Sequence, residues 1–243
     1  MKRFTLLTMF ALLFAVPGIA QIDISPMKVI YVRQQENLPD YKRRFEVTYP
    51  IVSGTRSDAV KRRLENTLSY WRAFESSLDE NLRDDYALDS LDYVVTYNKG
   101  SILVIELIWS GSGAQVSEDM KTYVIDTSSG RRISVRQAFR NLPGLVGKLV
   151  EKQNAAVEAE ISSRKETEPD AVEDIEIYME GKTITESMLD EFMVTDDGVT
   201  FRFDFGFPHV VQALQPDGDY FFSWKEITPF VKARGPLAGF RDH

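Results

Sequence analysis

Residues 93–109 read YVVTYNKGSILVIELIW, and this stretch decides the fold. Tyr93, Val95 and Tyr97 alternate with other residues in the way that is typical of a half-buried strand. The letters NKG at 98–100 suit a short turn with glycine in the left-handed position. Ile102–Trp109 is then apolar at seven of eight positions. We therefore predict a hairpin whose second strand is central and covered on both faces.

Patterns on either side of this hairpin extend the prediction. Apolar residues at spacings of three and four predict a long helix from Val60 to Leu82, capped at Ser57 or Asp58, and a second one from Leu145 to Ile161. The remaining signals predict strands at 45–51, 122–126 and 220–224, a hairpin with an Asp-Gly turn over 192–203, and short helices at 134–139 and 226–231. The predicted fold class is α+β, with mainly antiparallel sheets packed with two long helices in two tandem halves.

The domain organisation follows from composition shifts along the chain. Residues 21–161 are predicted to form an N-terminal α+β half that contains a glycine-rich loop. Residues 162–174 are charged and contain Pro169, which predicts a mobile loop. Residues 175–243 are predicted to form a C-terminal β-hairpin half.

The first 20 residues have the order of a secretory signal peptide. Lys2 and Arg3 precede an apolar run over 4–16, and small residues at 18 and 20 suit a cut after Ala20. The apolar run is too short for a membrane-spanning helix, which needs about 20 residues. We predict export to the periplasm or the cell exterior, with no membrane span after cleavage.

Charge and cysteine content limit the function classes. Without residues 1–20, the chain keeps 27 basic and 37 acidic residues, a net charge of −10. This charge argues against a nucleic-acid partner, because phosphates would be repelled, and it suits a cationic protein. The chain has no cysteine, so packing rather than disulfides must stabilise it in an oxidising compartment.

Several spaced motifs resemble a bacterial extracytoplasmic domain family of unknown function. They are WSGSGAQ at 109–115, YVID at 123–126 with the turn glycine Gly130, and ISV at 133–135 with Phe139. Downstream, FMVTDDGVTF at 192–201 and the segment 224–231 resemble the domain that usually follows it. The pair is similar to the extracellular region of lysozyme-sensing anti-sigma factors, and to a module found beside peptidoglycan deacetylase domains.

The resemblance implies a sheet-plus-helix fold and a binding role in the envelope, with a lysozyme-type protein or cell-wall glycan as ligand. Two positions depart from the family pattern: Gln115 stands where a histidine is usual, and His209 follows Pro208 where a tyrosine is usual. The chain carries no cytoplasmic segment of an anti-sigma factor, so we do not expect direct signalling to transcription.

Catalytic chemistry finds little support in the sequence. With two histidines and no cysteine, no zinc-type ligand set can be assembled, and the Asp-Gly segments lack the spacing of a calcium loop. Ser110 and Ser112 do not match a nucleophile elbow. We predict no catalytic residue, no metal and no cofactor.

Binding is therefore the leading hypothesis. The candidate ligand-binding residues lie in the glycine-rich loop and at the proline-histidine segment: Trp109, Gly111, Ser112, Gly113, Gln115 and His209. The predicted function is a non-catalytic secreted binding module for cell-wall glycan or a lysozyme-like protein. Two alternatives stay open: an envelope hydrolase that uses carboxylates with His209, and a structural envelope protein.

Overall fold

The computed structural model describes residues 21–35, 37–83, 87–113 and 116–241. They form a six-stranded sheet, a three-stranded sheet and several helices, which confirms the predicted α+β class. Within these ranges, no helix combines the length and hydropathy that a membrane span requires. The predicted export signal over 1–20 and the candidate residue Gln115 lie outside the described residues.

The larger sheet holds its strands in chain order. Neighbouring strands are antiparallel except β2 and β3, which run parallel where Glu46 and Val47 face Ser90 and Leu91. The strands are β1 (Asp23–Val32), β2 (Arg44–Ser53), β3 (Leu88–Lys99), β4 (Ile102–Ser112), β5 (Val116–Asp126) and β6 (Arg131–Arg132). The predicted β3–β4 hairpin is confirmed, and Gly100 at its turn has a φ of 60°.

Both faces of β4 are covered, as its apolar run predicts. Leu103, Ile105 and Leu107 are buried in a first apolar cluster on one side of the sheet. Ile102 and Val104 are buried in a second cluster on the other side. Successive side chains of a strand point to opposite faces, so a continuously apolar strand contributes to two cores at once.

The first cluster is closed by short helices where one long helix was predicted. Ser69 has an extended backbone between the first two, and Glu75 follows the second with a φ of 48°. These breaks let Tyr70 enter the core, where its hydroxyl donates to the Thr48 carbonyl oxygen at 2.6 Å. Tertiary burial therefore overrides the helical spacing. The helices are α1 (Asp58–Thr67), α2 (Tyr70–Ala73) and α3 (Leu78–Arg83).

The second predicted long helix is confirmed, but the charged loop after it is not a loop. The short helix α4 (Val135–Ala138) precedes α5 (Leu142–Arg164), and α6 (Pro169–Met179) follows. The prediction of a loop over 162–174 is wrong because Pro169 occupies the first turn of α6, where its missing N–H costs no hydrogen bond. The connection between the two helices is only residues 165–168.

The smaller sheet completes the fold. Its strands β7 (Phe192–Val194), β8 (Gly198–Arg202) and β9 (Asp219–Ser223) are antiparallel, which confirms the predicted second hairpin, and α7 (Trp224–Ile227) follows. The second apolar cluster joins Leu145 and Leu149 of α5 to Phe201 and Phe222 of this sheet and to Val124 of β5. This cluster therefore draws on residues before and after 162–174, and the division into two halves stays a prediction.

Candidate functional site

The predicted glycine-rich loop is anchored by a buried lysine. Lys42 donates to the backbone oxygen of Ser112, to its hydroxyl oxygen at 2.5 Å, and to the Asp89 carboxylate at 3.0 Å. The Ser112 hydroxyl in turn donates to Asp89. These contacts join Ser112 to Lys42 and to Asp89 of β3, and so they fasten the end of β4.

Trp109 and Gly111 form one packed unit within β4. Trp109 is half-buried against the first apolar cluster. A Cβ atom placed on Gly111 would lie 2.2 Å from the Cη2 atom of that indole and 2.6 Å from the Ala87 carbonyl oxygen. The glycine therefore allows a close approach of the ring to the backbone. Around Gly113, by contrast, the described residues beyond its chain neighbours place no atom within 4 Å of the position that a Cβ would take.

His209 lies on the other side of the large sheet. It begins a 3-10 helix over His209–Leu214 and is exposed to solvent. Its neighbours Phe207 and Val211 belong to the second apolar cluster, and the ring centroids of Phe207 and Tyr178 are 5.4 Å apart. The structure therefore does not bring His209 and Trp109 together, because Trp109 packs with the first cluster and the neighbours of His209 pack with the second.

A concave surface that the sequence reasoning missed lies between β1, β2 and the helix pair α1–α2. Its volume is about 410 Å³, and we call it the aromatic groove. Met27 and Ile51 on its rim are 46% and 37% exposed, which is high for large apolar side chains on a folded protein. The groove is lined by Met27, Val29, Tyr31, Tyr49, Pro50, Ile51, Glu65, Leu68, Ser69, Tyr70 and Trp71.

The aromatic rings of this groove are held in place by defined contacts. Tyr31 stacks on Phe45 with ring centroids 5.3 Å apart, and its hydroxyl lies 2.9 Å from that of Tyr49. Burial raises the pKa of Tyr49 well above its usual range, and the hydrogen bond with Tyr31 adds to the effect. Burial also raises the pKa of Tyr70. Both hydroxyls therefore stay neutral and can act as hydrogen-bonding groups at physiological pH.

Two signals for the groove were present in the sequence. The residues MKVIY at 27–31 place Met27, Val29 and Tyr31 at alternate positions, as in a strand. Trp71 belongs to the apolar spacing of the helix predicted from Val60 to Leu82, and that spacing favours a core position. In the structure Trp71 is half-buried: it packs against the first apolar cluster and also lines the groove.

Groups suited to metal binding or acid catalysis do not stand out in the described part of the chain. No cluster of three or more His, Asp or Glu side chains is arranged there to hold a metal ion. Burial works to raise the pKa of Asp126, but hydrogen bonds from Ser128 and Ser129 prevail and lower it. Hydrogen bonds from Ser223 lower the pKa of Glu226. Both carboxylates therefore stay ionised and serve a turn and a helix cap.

Comparison with known proteins shows which fold the chain has. No protein-family model matches the sequence, and no curated protein matches it. A solved DUF3298 family protein from Bacteroides fragilis superposes with a TM-score of 0.56 at 12% identity, covering 93% of this chain and 99% of that one. A DUF3298 family protein from Pseudomonas aeruginosa gives a TM-score of 0.53 at 12% identity, with coverage of 88% and 94%. The chain has the DUF3298 fold.

The DUF3298 fold accounts for the chain as a whole rather than for one of its sheets, because the coverage is nearly complete in both directions. The sequence resemblance is thus supported only as likeness to an uncharacterised domain family. Similarity to lysozyme-sensing anti-sigma factors stays a prediction. At this sequence identity the DUF3298 likeness concerns the fold alone, so the function is argued from the groove.

Proposed function

We propose that the protein is a non-catalytic binding module of the bacterial cell envelope, and that its ligand is a cell-wall glycan held in the aromatic groove. The observation that carries the proposal is the composition of the groove. Tyr31, Tyr49 and Trp71 offer ring surfaces, and the tyrosine hydroxyls offer donors and acceptors beside them. Concave sites lined mainly by apolar and aromatic groups, with a few placed polar groups, are the usual form of ligand sites.

A sugar ring matches this composition for a physical reason. Its faces carry C–H groups that pack on aromatic rings, and its edge carries hydroxyls that need hydrogen-bonding partners. Aromatic side chains with a polar end supply both kinds of contact. Glu65 and Ser69 on the helical wall add an acceptor and a hydroxyl for the sugar edge. The volume of about 410 Å³ lies within the usual range for small-ligand sites.

A cationic wall-degrading protein of the lysozyme type is the second candidate ligand. The net charge of −10 without residues 1–20 favours it, because acidic surfaces steer cationic proteins toward them. Such a partner would contact a wider surface than the groove alone. The two candidates therefore differ in how strongly binding depends on the groove residues and on salt concentration.

Export is part of the same proposal. We infer that residues 1–20 are removed and that the protein acts in the periplasm or outside the cell. The first strand begins at Asp23, so cleavage after Ala20 leaves every described strand and helix whole. Mass spectrometry of the protein isolated from a periplasmic extract should give a chain that starts at Gln21. A chain that retains Met1 in the cytoplasmic fraction would contradict export.

The groove is tested by calorimetric titration with soluble muropeptides, using two matched variants of one strand. Met27→Glu places a charge in the groove, whereas Ile30→Glu places the same charge on the opposite face of β1, where Ile30 is 61% exposed. We expect Met27→Glu to weaken binding about tenfold or more, since a charge that loses water without a partner is costly. We expect Ile30→Glu to bind like the unmodified protein.

The titration is repeated with lysozyme. Muropeptide binding that Met27→Glu and Ile30→Glu reduce equally would contradict the groove as the site. Binding of lysozyme alone, weakened by salt and insensitive to Met27→Glu, would replace the glycan with the protein ligand. Absence of binding to both would remove the proposal.

A further inference from the structure

A second concave surface gathers positive charge in a chain that is acidic as a whole. It has a volume of about 510 Å³ and lies between α1, the β5–β6 turn, α4 and the segment 232–236. We call it the basic cleft. Its charged lining consists of Arg63, Arg131, Arg132, Lys232 and Arg234, with Asp126 as the one carboxylate.

The five cations of the basic cleft lack ion-pair partners among the described residues. Some basic side chains elsewhere are neutralised: Arg136 just outside the cleft pairs with Glu186, and Arg202 pairs with Glu106 and Asp219. Like charges held together without counter-charges repel one another. An unneutralised cluster of this kind in an acidic chain therefore calls for an anion from outside.

Asp126 offsets only one of the five positive charges and pairs directly with none of them. Its carboxylate accepts from the Ser128 backbone N–H at 2.9 Å and from the Ser128 hydroxyl at 2.6 Å. Arg131 faces Asp126 across the β5–β6 pair, yet the two side chains form no ion pair. The carboxylate is therefore occupied with the turn, and the guanidinium of Arg131 stays available.

Several of the cations are oriented by contacts that leave donors open. Arg63 uses one terminal nitrogen for the Ser129 carbonyl oxygen at 2.9 Å. Arg132 lies over the ring of Tyr123, with 4.6 Å from its guanidinium carbon to the ring centroid. A guanidinium has five N–H donors, so each keeps several for a ligand. Arg131, Lys232 and Arg234 are exposed to solvent.

We infer that the basic cleft binds a small ligand that carries two or more phosphate or carboxylate groups. Planar guanidinium groups match both oxyanions through paired hydrogen bonds. The cations stand on several walls of a concave surface, which fits one compact ligand with clustered charges. A long polyanion such as nucleic acid would extend over the acidic remainder of the surface, where repulsion opposes it. The basic cleft shares no lining residue with the aromatic groove, so this inference stands independently of the proposed function.

The test is calorimetric titration with inorganic pyrophosphate and with citrate at about 0.15 M salt, where long-range attraction is screened. The cleft variant is the double substitution Arg131→Gln with Arg234→Gln. The matched control is Arg44→Gln with Arg56→Gln, which removes the same charge from exposed arginines outside the cleft. Circular dichroism checks that both variants stay folded.

We expect one equivalent of at least one of the two anions to bind, and the cleft variant to weaken it about tenfold or more. The control should change the dissociation constant by less than about twofold. Preference for pyrophosphate identifies a phosphate-bearing ligand, and preference for citrate a carboxylate-bearing one; either supports the inference. Failure of both anions to bind, or equal losses in the cleft variant and the control, would overturn it.

Discussion

Two glycines of the segment 109–115 occupy opposite surroundings although they are two positions apart. Gly111 is buried beneath the Trp109 indole, whereas Gly113 is exposed with open space around it. Local sequence identifies both as glycines of a turn region, because glycine is typical of turns. The local sequence does not show which of the two glycines contacts another segment. The carbonyl oxygen that approaches Gly111 belongs to Ala87, which directly precedes β3 and is distant in the chain.

A pair of alanine substitutions separates these roles. Gly111→Ala would place its Cβ 2.2 Å from the ring of Trp109, so we expect the free energy of unfolding to fall by about 1–3 kcal/mol. Gly113→Ala should change it by no more than about 0.5 kcal/mol. Urea unfolding measures both. Equal losses in the two variants would contradict the packing described for Trp109.

The predicted site residues show what a local pattern can and cannot reveal. Ser112 was identified as a candidate because it stands among glycines, but its partners Lys42 and Asp89 come from distant parts of the chain. Nothing in the sequence links these three positions. The anchoring role of Ser112 therefore emerges only when β3 and β4 are paired in register.

At the scale of elements, the apolar periodicity predicted which residues are buried better than it predicted where a helix begins and ends. The apolar residues between Val60 and Leu82 pack with the first cluster, as their spacing predicts, but the helix breaks twice. Charged composition misled the prediction at 162–174. It suggested a loop, whereas most of these residues form the end of α5 and the first part of α6. Helix propensity and a proline at the first turn decided that segment.

The β5–β6 turn should make stability depend on pH through Asp126. Its pKa in the folded protein lies below the ordinary value of 3.8, so its stabilising effect is complete above that value and is lost as the pH falls through the folded pKa. We expect the unmodified protein to exceed Asp126→Asn in free energy of unfolding at pH 7. The difference should shrink below about pH 4. Denaturant unfolding over pH 2–7 measures it, and a difference that is constant throughout would contradict the assignment.

At the scale of the whole molecule, the two sheets are joined by Arg202. Its Nη1 atom donates to Glu106 of β4 at 2.7 Å, and its Nε and Nη2 atoms donate to Asp219 of β9 at 2.8 and 2.9 Å. Hydrogen bonds with Asp219 raise the pKa of Arg202 above its usual range despite partial burial, and Glu106 adds to the shift. Sequence patterns predicted both sheets but not this link, because it joins residues 96 positions apart.

Removing this link should destabilise the protein as a unit. The Glu106 side chain is only 13% exposed, so Arg202→Met leaves it without its cation, and we expect a loss of roughly 3 kcal/mol. Arg136→Met, which breaks an exposed pair with Glu186, should cost less than about 1 kcal/mol. Thermal unfolding of the two variants compares these costs. The addition of Glu106→Met to Arg202→Met should recover part of the loss, because it removes the unpaired carboxylate. Similar losses for Arg202→Met and Arg136→Met would contradict the bridging role.

The aromatic groove is also a property of the whole molecule, since β1, β2 and α2 must all be in place before Tyr31, Tyr49 and Trp71 meet. The sequence predicted an envelope ligand and aromatic contacts, but it placed them at Trp109. In the structure the pairing of β1 with β2 forms the concave aromatic surface, and Trp109 is not among its lining residues. The candidate site therefore could not be located until the edge strand was known.

The chain contains three tryptophans, and each reports on a different place: Trp71 on the groove, Trp109 on the glycine-rich segment and Trp224 on the second cluster. The most direct measurement is the NMR spectrum of the three indole N–H groups during titration with soluble muropeptides, assigned with single Trp→Phe variants. We predict that the Trp71 signal shifts with saturation while the signals of Trp109 and Trp224 stay in place. A shift confined to Trp109, or no shift in any of the three, would contradict glycan binding in the aromatic groove.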